Sequence, residues 1–123
     1  MSDKNFSHAA TVLPVDDVRA TADYYRDMLG FEISFEWGDP VTYAVLKRGE
    51  SVSVHVVERD DDSKPSSVHT ALYVFVHDVD KVYYEYRSKG VEIASEIGDR
   101  EYGMRDFDIK DINGFLLSFS MNL

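Results

Sequence analysis

Residues 9–29, AATVLPVDDVRATADYYRDML, decide the fold because the chain writes them twice. Displaced by 61 positions, His8 falls on His69, Ala10 on Ala71, Val15 on Val76, Asp17 on Asp78, Val18 on Val79, Tyr25 on Tyr86 and Arg26 on Arg87. Displaced by 60, Gly30, Glu32, Ile33, Glu36, Gly38 and Asp39 fall on Gly90, Glu92, Ile93, Glu96, Gly98 and Asp99. The matches hold register through a strand pattern, a helix pattern and the next strand pattern, more than two unrelated β–α segments share by chance. A solenoid needs at least about three copies. Two copies read as half-domains that close one structure between them.

The rest of each copy follows the same order. Met1–Phe6 reads as a loose tail. His8–Val15 is a strand with His8, Ala10 and Val12 on one face, and Pro14 near its end, where a missing N–H does little harm. Asp16 or Asp17 caps a helix with the stripe Val18, Ala22, Tyr25, Leu29, which Gly30 terminates. Phe31–Glu36 is a strand, residues 37–40 turn, and Val41–Lys47 and Ser51–Val57 form a hairpin. In the latter strand Val52, Val54 and Val56 alternate with Ser51, Ser53 and His55, so one face packs on a helix and the other looks into something polar. Residues 58–67, ERDDDSKPSS, carry charge, Pro and Ser and nothing to bury.

The second copy begins with a strand at His69–Val76, where His69, Ala71, Tyr73 and Phe75 share the face that matches His8 and Ala10. Asp78 caps a helix with the stripe Val79, Val82, Tyr83, Tyr86. Val91–Glu96 is a strand, residues 97–103 a loop, and Met104–Lys110 and Phe115–Met121 a hairpin turned by Asp111-Ile112-Asn113-Gly114. The expected fold is α+β: two tandem β-α-β-β-β modules at 7–58 and 68–122, joined by a linker at 59–67 in one domain of 123 residues. Their curved sheets surround a cleft.

Composition bounds the function. The 13 basic and 23 acidic residues give a net charge of −10, a surface that repels phosphate and disfavours nucleic acid. There is no cysteine, hence no disulfide, thiolate nucleophile or thiolate metal site. No run of about 18 apolar residues marks a membrane span, and no leader pattern is visible, so a cytoplasmic protein without membrane partners is expected. Neither a Gly-rich phosphate loop nor a Gly-x-Ser-x-Gly elbow is present. The carboxylates show no spacing that singles out an acid/base pair.

Residues Leu13-Pro14-Val15-Asp16-Asp17-Val18, Tyr24-Tyr25-Arg26-Asp27-Met28-Leu29-Gly30-Phe31, and Tyr102-Gly103-Met104-Arg105-Asp106-Phe107 running on to Asp111-Ile112-Asn113-Gly114 carry a resemblance to the vicinal oxygen chelate superfamily. That superfamily includes glyoxalase I, extradiol dioxygenases, fosfomycin-resistance transferases and bleomycin-resistance proteins. The chain looks most similar to the bleomycin-resistance branch, over Thr70–Tyr86 and Tyr102–Phe107. Those proteins are small acidic binders that sequester a cationic drug in clefts between two subunits. The resemblance thus implies a homodimer, and the sheet edges of two separate modules agree with one.

In metal-dependent members, the first and fourth strands of each module each supply one His, Glu or Gln. Matched by motif, those positions are Ala10, Ser53, Ala71 and Ser118. A methyl cannot donate and a serine hydroxyl is a feeble ligand, so the expectation is no metal and no cofactor. The alternative uses His8, His55 and His69, each two residues and about 7 Å along the strand from one of these positions. His77, at a strand end, is expected to be solvated.

The candidate ligand contacts are Phe35, Trp37, Tyr43, His55, Tyr73, Tyr102, Met104 and Asp106. Flat rings near carboxylates suit a planar cation, although Tyr73 and Phe75 serve a core equally well. Asp106 and Asp108 share a face with Met104 and either project into the cleft or stand solvated. Glu101 lies in the loop before Tyr102. The expected function is metal-free, non-enzymatic sequestration of a small cationic or aromatic ligand, as in antibiotic resistance. The alternatives are a metal-dependent lyase, isomerase or dioxygenase using the displaced histidines, and a scaffold that has lost both activities.

Overall fold

The computed structural model describes residues 4–60 and 69–123, so most of the proposed linker lies outside the described residues. Ten elements follow in the order β1 (Ala9–Val15), α1 (Val18–Asp27), β2 (Glu32–Trp37), β3 (Tyr43–Arg48), β4 (Val52–Glu58), β5 (Thr70–Phe75), α2 (Val79–Ser88), β6 (Glu92–Asp99), β7 (Met104–Lys110) and β8 (Leu116–Asn122). They form two four-stranded sheets, ordered β1-β4-β3-β2 and β5-β8-β7-β6. In each, the first strand runs parallel to the last and the rest are antiparallel.

The repeat extends to the local devices that build each half. Asp17 and Asp78, 61 apart, both cap their helices by accepting from the backbone N–H three residues on. Gly30 and Gly90 follow the helices at φ +76° and +78°, a backbone region that a Cβ penalises. Both second strands slip register at the same place, between Ile33 and Phe35 and between Ile93 and Ser95. A bulge lets residues two apart face opposite ways. Ile33 thereby packs against the core while Phe35 is exposed.

Each helix buries its stripe on its own sheet. Val18, Ala22, Tyr25 and Leu29 of the first half and Val79, Tyr83 and Tyr86 of the second join one continuous core with Leu46, Val54, Val56, Phe107, Ile109, Leu117 and Phe119. The modules are locked together on this helix side. Tyr25 OH donates to Asp111 Oδ2 at the second hairpin (2.6 Å), and Asn113 Nδ2 donates to Thr21 Oγ1 on α1 (3.0 Å). Reciprocally, Arg48 at the first hairpin donates twice to Glu85 (2.7 and 2.8 Å) and once to Tyr86 OH (3.2 Å) on α2. Burial pushes the Tyr86 phenol up to about 12, while the Glu85 carboxyl is held below its usual range by the Arg48 guanidinium.

Two readings from the sequence need correction. The predicted loop 97–103 is shorter, because β6 continues to Asp99 and Arg100 folds back, donating to the Glu96 carbonyl (2.6 Å) and to Asp106 Oδ1 (2.7 Å). The predicted common face of Ala71, Tyr73 and Phe75 is broken by a register slip between Thr70 and Leu72. Tyr73 and Phe75 stay opposite Ser118 and Ser120, while Ala71 packs against the core.

Asp111 is buried with no cation paired to it among the described residues, and desolvation raises its carboxyl above the ordinary value despite bonds from Tyr25 and from the backbone of Asn113 and Phe115. A carboxyl with a raised folded-state value binds more protons folded than unfolded. Its contribution is therefore full below the unfolded value, about 3.9, and is lost as pH rises through the raised one. Denaturant titrations from pH 4 to pH 7 should show wild type losing stability relative to Asp111→Asn. Tyr25→Phe should cost about 1–3 kcal/mol by leaving that buried oxygen short of a donor.

Candidate functional site

The faces turned away from the helices carry the candidate residues. On the first sheet the registers place Phe35 opposite Val45, Val45 opposite His55 and His55 opposite Val12, one row across four strands. The next row sets Trp37 beside Tyr43. Tyr43 OH and His55 Nδ1 share a hydrogen bond (2.6 Å) with their rings edge to face, which fixes both. Phe35 is 51% exposed and Trp37 65%.

On the second sheet Tyr73 lies opposite Ser118 and Ser118 opposite Asp108, while Phe75 lies opposite Ser120 and Ser120 opposite Asp106. Tyr73 and Phe75 pack ring to ring at 5.1 Å, yet both are exposed. Tyr102, 67% exposed, donates to Asp106 Oδ2 (2.6 Å), and this bond, first among the causes, raises its phenol above the ordinary value. Met104 is half-buried at the start of the same strand as Asp106.

The eight candidates therefore form two groups of four within the chain. Phe35, Trp37, Tyr43 and His55 stand on the first sheet, and Tyr73, Tyr102, Met104 and Asp106 on the second. Asp106 is not a free charge: it is buried and neutralised by Arg100. Its neighbour Asp108 accepts from Ser118 Oγ (2.6 Å) and has no cation at ion-pair distance among the described residues. Position on the strand marked both acids in the sequence. Nothing local showed that Arg100 would claim one and leave the other.

Between the groups, the sheets meet where β1 passes β5, with Thr11 Oγ1 donating to the Ala71 carbonyl (3.2 Å). A groove of about 570 Å³ runs there, bounded by His8 and Ala10 of the first sheet, the Tyr73–Phe75 pair of the second, and Ser53. Among the described residues, Ser53 Oγ is buried without a hydrogen-bond partner, and Ser120 Oγ is in the same state. A buried hydroxyl without a partner costs about 1–3 kcal/mol. The Ser53 hydroxyl is a polar atom held ready beside the groove.

The four motif-matched positions carry no imidazole or carboxylate. Ala10 and Ser53 are direct cross-strand partners, so matching the first and fourth strands by motif puts two cleft positions side by side. Neither Ala10 nor Ala71 can donate, and Ser118 is engaged with Asp108. The displaced histidines do not replace them: among the described residues no three His, Asp or Glu side chains come together as a ligand set. His8 bonds to Ser7 (2.6 Å), His55 is held by Tyr43, and His69 is exposed at the start of its strand, as is His77 at the far end.

The model of one family, the Glyoxalase/Bleomycin resistance protein/Dioxygenase superfamily, matches residues 5–119. No curated protein matches the chain. Among solved structures, TioX from Micromonospora sp. ML1 superposes with a TM-score of 0.79 at 22% identity, over 96% of this chain and 100% of that one. TnmS3, an antibiotic binding protein from Streptomyces sp. CB03234, gives 0.78 at 19% identity over 98% and 100%. Lactoylglutathione lyase from Agrobacterium tumefaciens gives 0.69 at 19% identity over 91% and 90%. At such identities the likeness is one of fold, which a binder and a lyase share here.

Trp37 is the only tryptophan in the chain, which makes the first sheet's open face directly observable. Its emission should be that of a solvated indole and be quenched freely by acrylamide. Trp37→Ala should change stability by no more than about 0.5 kcal/mol, as for exposed side chains that anchor no packing.

Proposed function

The chain belongs to the Glyoxalase/Bleomycin resistance protein/Dioxygenase superfamily, and from that premise we propose that it is a metal-free binding protein for a small, flat, cationic or aromatic molecule. One observation carries the reading: large rings stand exposed on the sheet faces that the helices leave open, Phe35 and Trp37 on one and Tyr73, Phe75 and Tyr102 on the other. Soluble proteins seldom leave clustered aromatic surface without a use. Rings stack on flat ligands and attract cations to their faces. Asp108 adds a carboxylate without a paired cation, and Ser53 an unused hydroxyl. The net charge of −10 draws cations from a distance. TnmS3, which has the same fold, is an antibiotic binding protein.

The complete site on this reading belongs to a homodimer, in which the open face of one protomer's first sheet meets that of its partner's second. Two groups of four contacts, one on each sheet of a chain, would then enclose one ligand. Catalysis finds less support, because neither the four motif-matched positions nor the histidines supply a ligand set.

Titration with a cationic aromatic glycopeptide, followed by Trp37 emission, should show saturable quenching. Trp37→Ala and Tyr102→Ala should each weaken binding about tenfold or more, the first with unchanged melting temperature and the second with a modest fall, because buried Asp106 loses a donor, both measured calorimetrically. Unchanged affinity in both variants would remove the proposed site. Elemental analysis after exposure to Zn, Ni, Mn and Fe should return well under one metal per chain. A stoichiometry near one would instead favour the enzyme reading.

A further inference from the structure

The two halves differ most where each hairpin reaches the other half's helix. Three residues (49–51) join β3 to β4, whereas five (111–115) join β7 to β8. The longer hairpin projects Asn113 onto Thr21 of α1 and buries Phe115. The repeat places Val82 of α2 where α1 has Thr21. The shorter hairpin offers it no equivalent: Gly49 has no side chain, and Glu50 is exposed. A cavity of about 290 Å³ lies against this hairpin, its wall including Val52, Val74, Val76, His77, Val82 and Phe119, and it adjoins the groove between the sheets, with which it shares Val52, Val74 and Phe75. Val52, Val76 and Val82 remain partly open where their setting in a filled half would close them.

We infer that this cavity, which adjoins the groove at Phe75 but has neither Trp37 nor Tyr102 on its wall, is a second ligand site for a monocyclic aromatic molecule bearing one small polar group. Its chemistry is that of the side chains that fill the other half, a ring like Phe115 and an amide like Asn113. The volume sits at the lower edge of the range of about 300–1,000 Å³ that suits drug-sized ligands, which gives room for a single-ring molecule. The walls are aliphatic and aromatic, so the ring is held by burial and the polar group turns towards His77 at the edge. Arg48 also borders the cavity, but its guanidinium is committed to Glu85, Tyr86 and the Leu29 carbonyl, so a carboxylate gains no free cation there. A ligand seated here touches both modules, and its binding favours their paired state.

The test is a titration of the full chain with phenol and with benzamide, followed by methyl and indole resonances in NMR spectra. The expected result is saturable binding of one molecule per chain, with the largest shifts at the methyls of Val76 and Val82, which do not border the groove. The Trp37 indole N–H, which reports the open face, stays unmoved, so this site stands or falls independently of the cleft. Val82→Trp fills the cavity and should weaken binding at least tenfold. Val82→Leu, a milder filling that the fold tolerates more readily, should weaken it several-fold. Linear, non-saturating shifts, shifts centred on Trp37 and Tyr102, or undiminished binding in both variants would overturn the inference. So would affinity that falls as protein concentration rises, because a second copy of the chain would then occupy the cavity.

Discussion

The two modules stay paired because each helix spends a buried tyrosine on the other module's hairpin. Tyr25 bonds Asp111 and Tyr86 meets Arg48; the tyrosines are 61 residues apart and equivalent, and both are fully buried. A tyrosine in that position must find a partner for its hydroxyl or pay the cost of an unmet polar group. Each half supplies what the other lacks, so the continuous core running under both sheets exists only in the paired arrangement. The open faces inherit their placement from this lock. With modules joined on the helix side, the opposite faces have no helix over them, and their rings meet mainly one another, Tyr73 on Phe75 and Tyr43 on His55.

The two contacts are chemically unlike. Arg48 is spread over a carboxylate, a phenol and a carbonyl, so its charge is met from several sides. Asp111 has only neutral donors around it, and burial acts against its ionised form. The first contact is an ion pair shielded from water on one side and holds over a wide pH range. At the second, ionisation of the carboxyl costs the folded state stability, because desolvation outweighs the Tyr25 bond that favours the charged form. The pairing of the modules therefore has one firm and one acid-favoured fastening.

Most of the fold was legible because the repeat supplies two readings of each element. Helix stripes, caps and terminating glycines sit where periodicity put them, and Met104–Lys110 matches its expected bounds. What was not legible depends on single residues acting over distance. Arg100 reaches back to Asp106, which lengthens β6 and neutralises an acid that strand position alone marked as available. The slip between Thr70 and Leu72 breaks a face that strict alternation joins. The candidate site was half legible for the same reason. Alternation selected Tyr73 and His55, while the groove, and with it Ser53 as a hydroxyl unpartnered among the described residues, follows from how β1 passes β5.

The matched bulges after Ile33 and Ile93 carry a historical consequence. A bulge is a specific irregularity that leaves a residue unpaired in the ladder, and two halves solving the same problem separately have no reason to place it at one position. Its recurrence 60 residues on points to one ancestral module, copied and joined. Before that fusion two identical modules had identical hairpins, so neither could keep an arginine for one helix and an aspartate for the other. The division between Arg48 and Asp111 belongs to the joined chain, and it turned an interchangeable pair into a left and a right hand.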